Sequence, residues 1–151
     1  MFMKRIEIKK LNDFFSTLKL NAFSKETRGS IIKNHIKISK IVKESEELAN
    51  AIYTKLITEN EDAVKMLTEK RGLYNTASDE EKPIFLQKII DECQDGLRVE
   101  MELNELINDL NNEEVNLDII KFDLETFVEE CADAGLDFTL TDLDNINGLF
   151  N

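Results

Sequence analysis

Carboxylates are the reactive side chains that this sequence supplies in quantity, and three groups are close enough to act together. They are Glu100, Glu102 and Glu105, then Glu129, Glu130 and Asp133, then Asp142 and Asp144. Neighbouring carboxylates can divide the roles of general acid and base, or hold a divalent cation, when they converge on a concave site. Helical metal sites usually add a His three residues after a Glu. The only His here is His35, remote in sequence from all three groups, and each group fits the solvated outer face of a helix. One imidazole cannot build a zinc site, and Cys93 and Cys131 lack CxxC spacing. His35 falls on an apolar helical seam, where a packing residue is the main reading and a pH-sensitive contact or a catalytic base the lesser ones. The sequence has no Gly-rich phosphate loop, no Gly-x-Ser-x-Gly turn and no EF-hand spacing. The expectation is a protein that is not an enzyme and has no catalytic, cofactor-binding or metal-binding residues.

Charge is distributed unevenly along the chain. Residues 1–43 carry eleven Lys and Arg against three acids, a net of +8, while residues 44–151 carry eight bases against twenty-eight acids, a net of −20. A chain polarised in this way can dock a partner by one end while the other repels anionic surfaces. Lys33, Lys37 and Lys40 share one helix face and are the candidate basic contact. Few Arg and no interleaved exposed aromatics accompany them, and the whole-chain charge of −12 opposes approach to phosphate. An acidic protein partner, or a plain solvated face, therefore outweighs nucleic acid. At the acidic end, Glu125, Glu129, Asp133 and Asp137 are the candidate contact residues for a basic partner.

At 151 residues the chain suits a single helical domain spanning 1–151. One Pro and five Gly leave little turn punctuation, and 33% charged residues is high, which together read as long helices. Arg5-Ile6-Glu7-Ile8-Lys9 alternates with period two and predicts a short strand. Leu11, Phe14, Phe15 and Leu18 then follow helical spacing, and Ser24 is placed to cap the next helix. That helix runs from about Lys25 to Thr58. Ile31, His35, Ile38, Val42, Ser45, Ala49, Ile52 and Leu56 repeat at four-three spacing, the signature of lengthwise helix packing within the chain or between copies. Burial is expected along this stripe, so Asp at Ile38 or Ile52 should unfold the protein, an unpaired buried carboxylate costing several kcal/mol.

Ala63, Val64 and Leu67 begin a shorter helix. Ser78 to Glu81 reads as a capping box, or Pro83 as a first helical position, for a second long helix reaching about Leu110. Its stripe is Leu86, Ile90, Cys93, Leu97, Leu103, Leu106 and Leu110, with a bend or a close helix approach expected at Gly96. Val115, Leu117 and Ile119 alternate with polar residues as a second strand. Asp123 caps a helix to Ala134, Gly135 stops it, and Thr141 with Asp144 opens a last turn. The fold expected is mainly α: two long packed helices, shorter helices, and a small two-stranded sheet pairing 4–9 with 115–121.

Phe14-Phe15-Ser16-Thr17-Leu18-Lys19-Leu20, followed by Ser24, Arg28 and Ile32-Lys33, resembles the opening of a family of small uncharacterised phage and prophage proteins. The phrase from Leu106 to Asp118, through Glu113-Glu114-Val115-Asn116-Leu117, is similar to that family's Leu-x-x-Glu-Glu-Val-x-Ile-Asp segment. The region Ala132–Phe150 matches its final short helix loosely, and this chain is less basic around Arg28 than the family pattern. The family has no established catalytic residues, so none carries over. The resemblance implies a mobile-element origin.

Met1 to Lys10 is basic without the apolar run of a signal peptide, and no stretch approaches roughly 18 apolar residues. A protein of the host cytoplasm or of the virion, with no membrane contact, is expected. The first functional reading is a non-enzymatic phage or prophage protein that works by protein–protein contact, as a virion or tail-assembly component or a binder of a host protein. The alternative is an acidic nucleic-acid mimic that occupies a host DNA-binding or defence protein. Self-association through the 31–56 stripe would be a further partner.

Overall fold

In a computed structural model, which describes residues 1–150, the chain runs β1 (Phe2–Lys4), α1 (Arg5–Thr17), α2 (Lys25–Glu59), α3 (Glu61–Thr76) and α4 (Lys82–Glu92). It continues as α5 (Gln94–Asn112), β2 (Glu114–Asn116), α6 (Leu124–Asp133) and α7 (Leu140–Ile146), with 3-10 turns at Leu20–Ala22 and Asn147–Leu149. The fold is mainly helical, with a two-stranded sheet, as the periodicities predict. Contacts divide the chain into two compact units, Met1–Glu46 with Asn111 onward, and Glu47–Leu110.

The sheet lies earlier in the chain than its alternation suggests. β1 pairs antiparallel with β2 as Phe2 with Asn116, Met3 with Val115 and Lys4 with Glu114. Residues 5–9 belong to α1 instead, and this corrects the strand expected over 4–9. Ile8 opens a helical stripe with Leu11 and Phe15, all buried, while Ile6 points outward. That stripe offers a longer buried surface than two isoleucines on one strand face, so helical spacing prevails. The Glu7 carboxylate accepts from the Lys4 backbone N–H at 2.8 Å and fixes the first turn. The strand expected over 115–121 also stops early. Residues 117–121 are non-strand, held by the Leu117 N–H donating to the Met1 carbonyl at 2.7 Å.

The first unit is built round a ring cluster. Phe127, 1% exposed on α6, sits 4.9 Å from Phe122, 5.6 Å from Phe150, 6.0 Å from Phe23 and 6.4 Å from Phe14, centroid to centroid. Ile8, Leu11, Phe15, Leu18, Ile31, Ile38, Leu117, Cys131, Ile146 and Leu149 are buried in the same core. Asn34, also fully buried, donates to the Ile120 carbonyl and accepts from the Ile120 N–H, both at 2.8 Å. The side chain thus gives extended backbone the two partners that a neighbouring strand would otherwise supply. Local caps hold the rest. Asp123 accepts from Thr126 N–H at 2.9 Å, and Gly135 takes the left-handed φ of 71° that ends α6. The last cap is Thr139 with Asp142, two residues before the expected Thr141 and Asp144.

The second unit has a smaller buried cluster, Leu67, Ile89 and Cys93, against which Tyr74 and Leu97 pack. The single helix expected from Ser78 to Leu110 is two helices. The chain turns at Cys93, with φ −113° and ψ 27°, and the inward stripe is Ile89 in α4, Cys93 at the turn, then Gly96 and Val99 in α5. Leu86 and Ile90, placed on the stripe by one continuous register, are about half exposed. Close approach at Gly96 is as expected: a Cβ there would lie 2.8 Å from the Ala63 carbonyl oxygen and 2.9 Å from Leu67 Cβ. Gly96→Ala gains up to ~1 kcal/mol in helix propensity but must push α3 from α5, at about 1–3 kcal/mol. A net loss centred on about 1 kcal/mol, and no more than about 2 once the propensity gain is subtracted, is expected. Both tyrosines, Tyr53 and Tyr74, lie in this unit of a Trp-free chain, so tyrosine fluorescence on heating reads the change. A melt at or above that of the parent would show that the helices separate freely.

Candidate protein-docking groove

The charge polarity of the sequence is partly consumed inside the first unit, where the basic N-terminal segment meets the acidic C-terminal one. Arg5, 7% exposed, donates through Nε to Glu113 at 2.8 Å, through Nη1 to Ser45 at 2.9 Å and through Nη2 to Glu44 at 3.2 Å. Burial disfavours its charge, and the two carboxylates more than restore it, leaving the guanidinium pKa raised. Lys37 Nζ donates to the Asp118 carboxylate at 2.9 Å and to its carbonyl at 2.7 Å. The ammonium hydrogen bond holds Asp118 below the ordinary carboxylate range. Glu130 is pushed up by desolvation but drawn down further by the Ser24 N–H at 3.0 Å and the Thr27 hydroxyl at 2.9 Å, so the net shift is downward. Ser24 itself caps α2, accepting from Thr27 N–H at 3.3 Å.

Of the three candidate lysines, Lys37 is therefore committed to Asp118, while Lys33 and Lys40 are exposed on α2. Beside them lies an open groove of about 490 Å³, floored by Phe15, Leu18 and Ile31 and walled by Leu20, Ile32 and Ile36. His35, half-buried, stacks on Phe15 at 6.1 Å between ring centroids with 13° between planes. Ile36 is 67% exposed and Ile32 41%. Residues four apart are neighbours on a helix surface, so Arg28, Ile32, Ile36 and Lys40 form one row, with Lys33 one turn before Ile36. Glu26 is the one acid between Lys25 and Lys43. Two large aliphatic side chains thus stand in water within a basic surround.

Ile32 and Ile36 escaped the sequence reading because it followed the seam through Ile31, His35 and Ile38. A pair of isoleucines four apart and off the seam, among lysines, was the available signal. The acidic candidates separate. Glu125, Glu129 and Asp133 are exposed along one face of α6, whereas Asp137 lies beyond Gly135 on the rim of a second groove of about 400 Å³. That rim mixes Lys10 with Asp13 and Asp142, and Phe14 fills its wall against Phe138 at 5.6 Å.

The other residues with chemical potential are placed structurally. Glu100 pairs with Arg71, Glu92 with Lys70, and Asp142 caps Thr139. Among the described residues no three His, Cys, Asp or Glu gather as a metal site, and no buried side-chain nitrogen or oxygen lacks a hydrogen bond. Cys93 and Cys131 are free and buried, and burial, helped by the charge of Glu130, pushes the Cys131 thiol up to about 12. A thiol held protonated in this way is a poor nucleophile at neutral pH. Among the described residues no helix is long and apolar enough to cross a membrane. No family model, curated protein or solved structure matches this chain.

Proposed function

We propose that the protein is a non-enzymatic phage or prophage product that acts by docking another protein in the groove between α1, the Leu20–Ala22 turn and α2. The observation that supports this reading is the pair Ile32 and Ile36, left in water beside an otherwise well-filled core. Single exposed aliphatics are ordinary, but two on one helical row, continuous with a concave apolar floor, mark a contact surface. The partner is a host protein or a virion component of the host cytoplasm. Self-association through the seam is the poorer reading, since Ile31 and Ile38 are spent on the chain's own core.

The experiment is affinity capture from host and infected-cell lysates with the wild-type chain and with Ile36→Asp. Because Ile36 is exposed, the variant should keep the parent's circular dichroism. Capture by wild type and loss with the variant is the expected result. Equal capture by both removes the groove from the function, and recovery of no protein overturns the reading. A second reading rests on α6, where Glu125, Glu129 and Asp133 repeat every four residues, about 6 Å along the axis, and could face a DNA-binding protein. Neutralising those three and Asp137 to Gln or Asn in the same capture, at low and high salt, separates the two. An unchanged salt slope assigns the acidic face to solvent.

A further inference from the structure

We infer that the occupant of this groove is an acidic amphipathic helix, a class of partner that the docking reading by itself leaves open. The inference rests on that reading and adds the chemistry of what binds. Three observations carry it. The groove runs beside α2 and is apolar along its floor, which suits the apolar stripe of a second helix rather than a single side chain. Ile32 and Ile36, one turn apart, match the spacing of anchors on such a helix. The charges flanking the two isoleucines are all of one sign. Arg28 precedes Ile32 in the row, Lys40 follows Ile36, Lys33 stands beside it, and Lys19 is exposed just before the turn whose Leu20 walls the groove.

Charge elsewhere in this unit makes the surplus local. Asp118 and Lys37 neutralise each other, and Arg5 is enclosed by Glu44 and Glu113. Among the described residues Lys33 and Lys40 form no ion pair. A helix with Leu or Ile at i, i+3, i+4 and i+7 and Asp or Glu on its flanks would bury the isoleucines and place carboxylates beside those lysines. A basic helix would bury the same area against like charge. Nucleic acid would satisfy the lysines and leave the isoleucines in water. Electrostatic matching of this kind sets partner choice and association rate more than it sets affinity.

The test uses the full chain and a fluorescent peptide of about 18 residues, with Leu at the i, i+3, i+4 and i+7 positions and Glu elsewhere. A second peptide keeps the Leu positions and replaces Glu by Lys. Anisotropy titrations at about 50 and 300 mM salt are run on the parent, on Ile36→Asp and on Lys33→Glu/Lys40→Glu. The acidic peptide is expected to bind at least about tenfold tighter than the basic one at low salt, to weaken as salt rises, and to lose about tenfold or more with either variant. Ile36→Ser, which removes the side chain without adding charge, should weaken both peptides. Equal binding of the two peptides, both lost with Ile36→Ser, overturns the acidic preference and leaves the docking reading standing. Failure of both peptides to bind, with Ile36→Asp still abolishing lysate capture, also overturns the acidic helix alone. A short DNA duplex and vesicles of phosphatidylserine and phosphatidylcholine serve as competitors. If either displaces the acidic peptide and binds unaffected by Ile36→Ser, the lysines serve phosphate and the inference fails.

Discussion

Replacing Phe127 by Ala should cost about 3–5 kcal/mol, enough to remove a large part of the stability of a domain this size. Transfer of the ring from water accounts for about 2–3 kcal/mol of that. The rest comes from the void, which the surroundings cannot close. Its four ring neighbours belong to separate parts of the chain: Phe14 on α1, Phe23 before α2, Phe122 before α6 and Phe150 after α7. Each is fixed by its own element, so none can move into the space without breaking contacts of its own. Three of these ring pairs are tilted or edge-on and the pair with Phe23 is stacked, and the loss of all four is contained in that total. Phe127→Leu keeps most of the volume and should lose about half as much or less. Urea denaturation followed by circular dichroism, with amide exchange in α1 and α6, measures the series. Parent-like stability of the Ala variant would show that Phe127 is not the centre of this core.

Element type was legible wherever one hydrophobic period ran without competition. The four-three repeat from Ile31 to Leu56 gave α2 almost to its ends, and Ser24, Asp123 and Gly135 marked their caps because each has a local hydrogen-bonding or backbone reason to be there. Two short alternations misled. Ile6 and Ile8 satisfy a strand over five residues, but Ile8 also begins a stripe that reaches Phe15, and the longer stripe decides. Across Cys93 two helices with different inward faces were joined into one, since nothing in the local sequence fixes where the helical phase resets. Asn34 was invisible for another reason. A polar residue on the seam side looks like an interruption until its partner, the Ile120 backbone some eighty residues away, is brought beside it. The groove was hidden similarly. Its lining combines Phe15 of α1, Leu18 and Leu20 of the following turn, and Ile31, Ile32 and Ile36 of α2, so only Ile32 and Ile36, the off-seam pair, carried any trace in the sequence.

Three isoleucines on one helix should respond to the same substitution by very different amounts. Ile38→Asp places a carboxylate where the side chain is 0% exposed, within a cluster whose neighbours are aliphatic or aromatic. Arg5, the one buried cation among the described residues of this unit, is already held by Glu44, Glu113 and Ser45 and is not available to it. The penalty is then several kcal/mol, and the first unit should lose its cooperative melt. Ile52 is only half-buried, in the second unit, so its carboxylate can reach water and the expected loss is about 1–2 kcal/mol. Ile36→Asp, in the open groove, should stay within about 0.5 kcal/mol of the parent. Acidity provides the sign check. A carboxyl buried at position 38 has its folded pKa raised above the unfolded value near 3.9, so the deficit grows as pH rises through that value. It should shrink, relative to the parent, toward about pH 3, where the group is neutral in both states. Thermal and urea melts of the three variants at about pH 7 and pH 4 decide the matter. Equal losses at positions 36 and 38, or a parent-like melt of Ile38→Asp, would mean that α2 turns a different face to the core.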